Sequence, residues 1–211
     1  MIRIALPKGR LFAGVQQALA NVGLAFQQPH PRTYMLASNQ EKLQGKLFKP
    51  RAIAQLVALN RYQIGFVGLD LVQEADLEDV IPILDLGLNR VDLVVAIPAT
   101  TPNILTDPPK RPLVIATEYM NLTDRWAFKH NLAHITIQTW GSTEGYAPED
   151  ADIIFDCCET GDTIRANGLI IVDRLVSSST WMIANKSALE DPRQAQEILD
   201  LKKRLEEVVN G

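Results

Sequence analysis

Cysteine is scarce. The chain has two, Cys157 and Cys158, and they are adjacent. Neighbouring cysteines rarely reach disulfide geometry, and two thiols make no metal cluster. Both read as small buried strand residues, which fits a reducing compartment. An excess of positive charge is missing too. The formal net charge is −4, so no global basic field draws in nucleic acid, and a polyanionic ligand must be held by local devices. No apolar run reaches the roughly 18 residues that span a membrane. No N-terminal segment shows the charged, apolar and cleavage regions of a secretory leader. A cytoplasmic location is therefore expected. No Ser-His-Asp or Cys-His order is visible, and nothing points to covalent catalysis. His130 and His134 have a helical spacing, but no third ligand lies near, so both are read as structural.

What is present is a regular alternation. The 211 residues, 46% of them apolar, suffice for one large domain or two small lobes with a real core. Residues 2–6 read as a buried strand and 11–21 as a helix stopped by Gly23. A helix over 51–59, a strand over 64–68, a short helix over 69–75 and strands over 80–84 and 91–97 follow. The polar stretch 27–46 holds a possible strand at 33–37. Residues 99–111 are a proline-rich loop. A second series then begins: strand 113–116, helix 119–131, strands 134–139 and 152–156, a helix start at 163–167, strands 169–172 and 180–184, and a long amphipathic helix over 189–209. This pattern predicts an α/β fold of two lobes with mostly parallel sheets. Lobe I takes residues 1–88 and 178–211, lobe II takes 89–177, and a ligand crevice is expected at the carboxyl ends of the strands.

The residues with chemical meaning fall at strand ends. The apolar strand 152–156 runs into Asp156 and Glu159 and then into Thr160-Gly161-Asp162-Thr163. Carboxylates accept hydrogen bonds from sugar hydroxyls. A Thr-Gly-X-Thr turn opening a helix offers N–H groups and hydroxyls to a phosphate. Together they suit a phosphorylated ribose, although Asp162 is an odd charge inside a phosphate turn. Pro7-Lys8-Gly9-Arg10 joins the first strand to the first helix. Its Lys and Arg suit a pyrophosphate or triphosphate. Gly65-Phe66-Val67-Gly68-Leu69-Asp70 closes a strand with glycine, and Asp70 either caps the next helix or meets a substrate. Gly141-Ser142-Thr143-Glu144 is a further turn after a strand.

In this order, the pieces resemble the ATP phosphoribosyltransferase family, in its short form, over nearly the whole chain. The segments Ile4-Ala5-Leu6-Pro7-Lys8-Gly9-Arg10, Gly65 to Asp70, Gly141 to Glu144 and above all Asp156 to Gly168 carry the resemblance, with Ala184-Asn185-Lys186 and Asp191-Pro192-Arg193 near the end. The resemblance implies a two-lobed fold like the type II periplasmic binding proteins. It implies transfer of the phosphoribosyl group of phosphoribosyl pyrophosphate (PRPP) to N1 of ATP, the first step of histidine biosynthesis, with Mg²⁺ carried mainly by substrate phosphates. It further implies a regulatory subunit resembling histidyl-tRNA synthetase and a homodimer within a hetero-oligomer, with no nucleic acid or membrane as partner. Carried over residue by residue, Lys8, Arg10, Lys49 and Arg51 are the expected catalytic cations. Asp156, Glu159, Thr160, Gly161, Asp162 and Thr163 are expected to bind PRPP, and Gly9, Gly68, Asp70, Ser142 and Glu144 to bind ATP or line the site.

Three departures from the family pattern stand out. Lys49-Pro50-Arg51-Ala52-Ile53-Ala54 replaces the usual Arg-X-X-Asp-Ile-Pro. Gln63 replaces an aspartate. The stretch from Glu144 to Asp156 is about one residue short. Two other readings therefore stand beside the first: an inactive paralogue or sensor of the same fold, and a phosphoribosyltransferase with another acceptor base.

Overall fold

The computed structural model describes residues 1–209 and divides into two compact units, Met1–Arg90 with the chain from Ser179 onward, and Val91–Ser178. In the first unit, strand β1 (Ile2–Pro7) leads into helix α1 (Arg10–Asn21). Val15 and Leu19, one helical turn apart, are its buried face, and Gly23 at φ 74° ends it. Strands β2 (Phe26–Gln27), β3 (Met35–Ser38) and β4 (Leu43–Phe48) follow. Then come α2 (Pro50–Ala58), β5 (Ile64–Gly68) and α3 (Leu69–Ala75). The unit also holds the start of β6 (Val80–Pro98), the end of β10 (Leu169–Asn185), α6 (Lys186–Glu190) and α7 (Pro192–Val209).

The sheet order in this unit is β2-β3-β4-β1-β5-β10. Strand β1 is parallel to β4, from Ile2↔Leu43 to Pro7↔Phe48, and to β5 at Ile4↔Ile64. Strand β10 is antiparallel to β5. Alternation along β1 divides the core. Ile2, Ile4 and Leu6 pack with α1 and α7, whereas Ala5 packs with Ile53, Ala54 and Val57 of α2. Helices thus cover both faces, as a parallel sheet requires.

In the second unit, β7 (Leu113–Thr117), α4 (Met120–Lys129), β8 (His134–Gln138), a 3₁₀ turn (Thr143–Tyr146), β9 (Ile153–Cys158) and α5 (Asp162–Ala166) join the remainders of β6 and β10. The order is β6-β9-β7-β8. Strand β7 is parallel to both β8 and β9, and β6 runs antiparallel to β9. Among the described residues, no helix is long and apolar enough to cross a membrane.

Three expectations about elements change. Strands expected at 80–84 and 91–97 are one strand of 19 residues, β6, and those at 169–172 and 180–184 are one of 17, β10. The polar residues between them remain in strand by pairing sideways: in the second unit Arg174 and Ser177 both donate to Asp92, and in the first Asn89 donates to Thr180. The expected helix over 189–209 is two helices. Asp191, which precedes Pro192, is extended at φ −79°, ψ 116°. Its carboxylate then accepts from the Arg193 and Gln194 N–H groups, both at 3.0 Å, to start α7. Strand β4, hidden in the polar stretch, includes Gly45 because a side chain there would stand 2.7 Å from the Phe26 ring.

Candidate active site

Because β1, β4 and β5 are parallel, their carboxyl ends share one edge of the first unit. Pro7 lies opposite Phe48, and the Lys8 N–H donates to the Phe48 carbonyl at 2.8 Å, which sets Lys8 beside Lys49. Gly9 is the N-cap of α1 and Lys49 the N-cap of α2; neither helix has a side-chain cap or an acidic residue in its first turn. Both helix starts thus bring the positive end of a helix dipole to the edge that carries Lys8, Arg10, Lys49 and Arg51. Arg10 and Lys49 are exposed, Lys8 and Arg51 half-buried. The Lys8 ammonium rests 3.4 Å from the Tyr34 ring centroid. Gly68 is the N-cap of α3, and Asp70 lies buried in that helix's first turn, so Asp70 is not the cap.

The same logic holds in the second unit. Thr117 is level with Gln138 of β8 and Phe155 of β9, so the residues after these three strands share an edge. The turn after β8 is stiff. The Thr139 N–H donates to the Thr117 carbonyl at 2.8 Å, the buried Thr139 and Thr143 hydroxyls pair at 2.8 Å, and Ser142 is left-handed at φ 49°. Ser142 is exposed and Glu144 half-buried. Asp156 is half-buried, with one carboxylate oxygen taking the Cys157 N–H at 2.7 Å. Glu159, Thr160, Asp162 and Thr163 are all exposed, and Gly161 takes φ 80° as the N-cap of α5.

Asp162 has a defined partner set. The Thr160 hydroxyl donates to it at 2.7 Å and Arg165 pairs with it, while Arg165 also donates to the Thr160 carbonyl at 3.2 Å. The Thr160 hydroxyl first, then the Arg165 guanidinium, hold the Asp162 carboxyl below the usual carboxylate range. The charge that looked odd in sequence is thus a brace, neutralised from within its own loop. Asp152 is structural: Arg111 grips it with hydrogen bonds of 2.6 and 2.8 Å and the Val114 N–H adds a third at 2.8 Å. The two histidines are structural as well. A His130 ring nitrogen meets the Trp126 carbonyl at 2.9 Å, and a His134 nitrogen meets Asp124 at 3.0 Å.

Two residues at this edge were missed from sequence. Glu118 follows β7, and its carboxylate lies 4.0 Å from where a Gly141 side chain would begin. Trp140 stands 77% exposed at the start of the Gly141-Ser142 turn, a large aromatic next to a glycine that sequence alone did not flag. Among the described residues, no three of His, Cys, Asp and Glu gather as a metal site.

Strand-end cations in one unit and an acid-led phosphate-type turn in the other define a class of α/β protein that handles phosphorylated sugars or nucleotides. Comparison narrows the class. The family profile described as ATP phosphoribosyltransferase matches residues 49–207. The ATP phosphoribosyltransferase of Chlorobaculum parvum is 30% identical over 216 residues, spanning 100% of this chain and 72% of that protein. That of Methanocaldococcus jannaschii is 35% identical over 202 residues, 94% of this chain and 69% of that protein. A chain from the ATP phosphoribosyl transferase (HisG:HisZ) complex of Thermotoga maritima superposes with a TM-score of 0.86 at 24% identity, covering 100% of this chain and 99% of that one. The fold is that of the type II periplasmic binding proteins. The chain belongs to the ATP phosphoribosyltransferase family.

Proposed function

We propose that this chain transfers the phosphoribosyl group of PRPP to N1 of ATP, yielding phosphoribosyl-ATP and pyrophosphate in histidine biosynthesis. The observation that carries this is the Thr160-Gly161-Asp162-Thr163 turn, its Thr160, Asp162 and Thr163 exposed and its Gly161 buried, opening a helix directly after the Asp156 strand. Thr160, Gly161 and Thr163 hold the 5′-phosphate of PRPP, and Asp156 and Glu159 fix the ribose hydroxyls. Lys8 and Arg10, with Lys49 and Arg51, receive the pyrophosphate. Ser142, Glu144, Gly9, Gly68 and Asp70 shape the acceptor side.

The N1 lone pair forms the new bond to ribose C1′ as the C1′–O bond breaks, and that electron pair leaves on pyrophosphate. Positive charge grows at the ribose and negative charge on the leaving oxygens. The protein supplies alignment and fixed cations rather than a nucleophile. Metal-dependent catalysis is general in the family; Mg²⁺ on the phosphates would neutralise the leaving group.

Two of the positions that depart from the family pattern, Ala54 and Gln63, are taken up in the packing of the first unit. Ala54 is 1% exposed within the α2 core, and Gln63, 6% exposed, is taken up by backbone and Asn60 contacts. We further infer a regulatory partner, on the strength of the fold shared with a chain solved in a HisG:HisZ complex; from the family resemblance we expect that partner to be like histidyl-tRNA synthetase, with a homodimer of this chain within the assembly. Cys157 and Cys158, which form no disulfide, fit a cytoplasmic setting. The test is phosphoribosyl-ATP formation by the purified chain, with and without the regulatory subunit. Product in either mixture is the expected result; none in both, with PRPP, ATP and Mg²⁺ saturating, overturns the reading.

A further inference from the structure

Strand β8 ends the sheet order of the second unit, so no strand lies beside its outer edge among the described residues. Its five residues, His134-Ile135-Thr136-Ile137-Gln138, include no Asp, Glu, Lys, Arg or Pro. Edge strands ordinarily use such residues to block pairing with another chain. The register shows which backbone groups face out. The Leu113 N–H donates to the Ala133 carbonyl and the Thr139 N–H to the Thr117 carbonyl, both at 2.8 Å. Backbone groups alternate along a strand, so those of Ile135 and Ile137 face β7 and those of His134, Thr136 and Gln138 face outward. The two faces of the strand differ as well. Asp124 of α4 meets the His134 ring and accepts from the Thr136 hydroxyl, each at 3.0 Å. These two side chains therefore lie on the α4 face, and Ile135 points to the other, where it is 58% exposed. Phe128 is one helical turn beyond Asp124 on the same side of α4 and is 84% exposed. A large apolar side chain thus flanks the open edge on each face.

We propose that this edge pairs with the same edge of a second copy of the chain, joining two second-unit sheets across a two-fold axis at Thr136. Antiparallel pairing about that residue sets Thr136 against Thr136, His134 against Gln138 and Ile135 against Ile137. Every position then meets a compatible one: hydroxyl with hydroxyl, ring nitrogen with amide, branched apolar side chain with its like. The outward groups of His134, Thr136 and Gln138 become the hydrogen-bonded pairs of an antiparallel ladder and exchange about six bonds. No charged side chain of the strand opposes another, and the acid beside it, Asp124, is already engaged by His134 and Thr136. A two-fold interface uses one patch twice, so this self-complementarity favours a second copy over a partner of other sequence. The pairing gives the homodimer inferred above a surface, and it does not depend on the phosphoribosyl-transfer reading.

The experiment is sedimentation equilibrium of the full chain over about 1–100 μM, where an interface of modest area dissociates, with circular dichroism to check the fold. Ile135→Lys puts a charge on the exposed face, and Thr136→Pro removes an N–H that faces outward, so neither breaks a ladder bond of the second unit. The wild type should dimerise, and each variant should raise the dissociation constant about tenfold or more. Cysteine pairs then read the register. Thr136→Cys and Gln138→Cys are oxidised with diamide, which takes up the two protons and two electrons of a thiol pair, and are run on a denaturing, non-reducing gel. Two copies of residue 136 would have Cα atoms about 5.5 Å apart, within disulfide range. Two copies of residue 138 would lie roughly 13 Å apart along the strand. Thr136→Cys should therefore give a covalent dimer, whereas Gln138→Cys and the wild type, which has only Cys157 and Cys158, should not. A wild type that stays monomeric throughout overturns the proposal, as does linking of Gln138→Cys as full as that of Thr136→Cys. A dimer undiminished in both Ile135→Lys and Thr136→Pro also overturns it, and moves the homodimer to another face. Should Thr136→Pro unfold, Ile135→Lys and the cysteine variants decide.

Discussion

Replacing Gly9 with alanine isolates what the first turn contributes. Gly9 has φ 75° and ψ −142°, near a region that is essentially restricted to glycine. A side chain there would meet nothing within 4 Å, so the whole cost is backbone strain, about 1–3 kcal/mol. For a chain of this size each kcal/mol lowers Tm by roughly 2–4 °C, so a fall of roughly 2–12 °C is expected. The strain is relieved only if the turn rotates, and rotation moves Lys8, Arg10 and the first N–H groups of α1. The right control is Gly23→Ala at the other end of the same helix. Gly23 has φ 74°, and a side chain there would come no closer than 3.8 Å, to Arg204; its cost is about 1–2 kcal/mol. Thermal unfolding and the kinetics of phosphoribosyl-ATP formation are measured on both. Each variant should lose stability, but only Gly9→Ala should lose kcat/KM for PRPP, by about tenfold or more, equivalent to about 1.4 kcal/mol. A strained Gly9→Ala enzyme with wild-type kcat/KM removes this turn from the site. An unchanged Tm refutes the strain argument itself.

Arg10→Ala should lower kcat by at least about tenfold, the worth of one charge-assisted contact to the leaving group; an unchanged rate at saturating substrates and metal removes Arg10 from the site. Arg165→Ala leaves Asp162 without its cation, so KM for PRPP should rise several-fold, and Arg165→Ala with Asp162→Asn should recover most of that loss; no recovery means that Arg165 acts on the ligand rather than through Asp162. The Arg111 hydrogen bonds, aided by the Val114 N–H, hold the Asp152 carboxyl below the usual carboxylate range. Its stabilisation is therefore complete above the unfolded value of about 3.9 and is lost as pH falls through the lower folded value. The stability gap between wild type and Asp152→Asn, followed by denaturant unfolding, should be constant above about pH 5 and shrink below about pH 4; a gap that widens in acid contradicts the assignment.

The ends of strands were legible in the sequence because glycine, proline and apolar runs punctuate them. Gly68 closes β5, and Gly23 ends α1 in the left-handed conformation that favours glycine. Strand β4 was hidden because its burial depends on a distant partner: Gly45 belongs in a strand only once Phe26 fills the space beside it. The continuity of β6 and β10 was hidden for a related reason. Asp92, Arg174 and Ser177 look like loop residues in one dimension and become cross-strand partners only in three. At the candidate site, residue types were readable but pairings were not. Asp162 looked like a misplaced charge until Arg165, one helical turn on, was seen to neutralise it. Glu118 and Trp140 lack a motif of their own; they reach the strand-end edge through the register of β7 and β8.

Gln63 decides whether the family departures belong to chemistry or to packing. It is 6% exposed, and its side-chain oxygen accepts the Arg3 N–H at 2.9 Å. Its amide donates to the Asn60 side-chain oxygen at 2.9 Å and to the Asn60 carbonyl at 3.3 Å. Its own N–H meets the Arg3 carbonyl at 3.0 Å, and its carbonyl takes the Asn185 N–H at 3.0 Å. These contacts join the starts of β1 and β5 to the end of β10, at the edge of the sheet opposite Lys8 and Lys49, because β1 and β5 both run from here toward the cations. A neutral amide satisfies this buried position with both of its ends, where a carboxylate could only accept. Gln63→Leu leaves the Arg3 N–H without its partner and should cost about 1–3 kcal/mol, a Tm fall of roughly 2–12 °C, with kcat unchanged in the folded enzyme. A variant with wild-type Tm and a reduced kcat would return Gln63 to the catalytic machinery and with it the case for a compromised site.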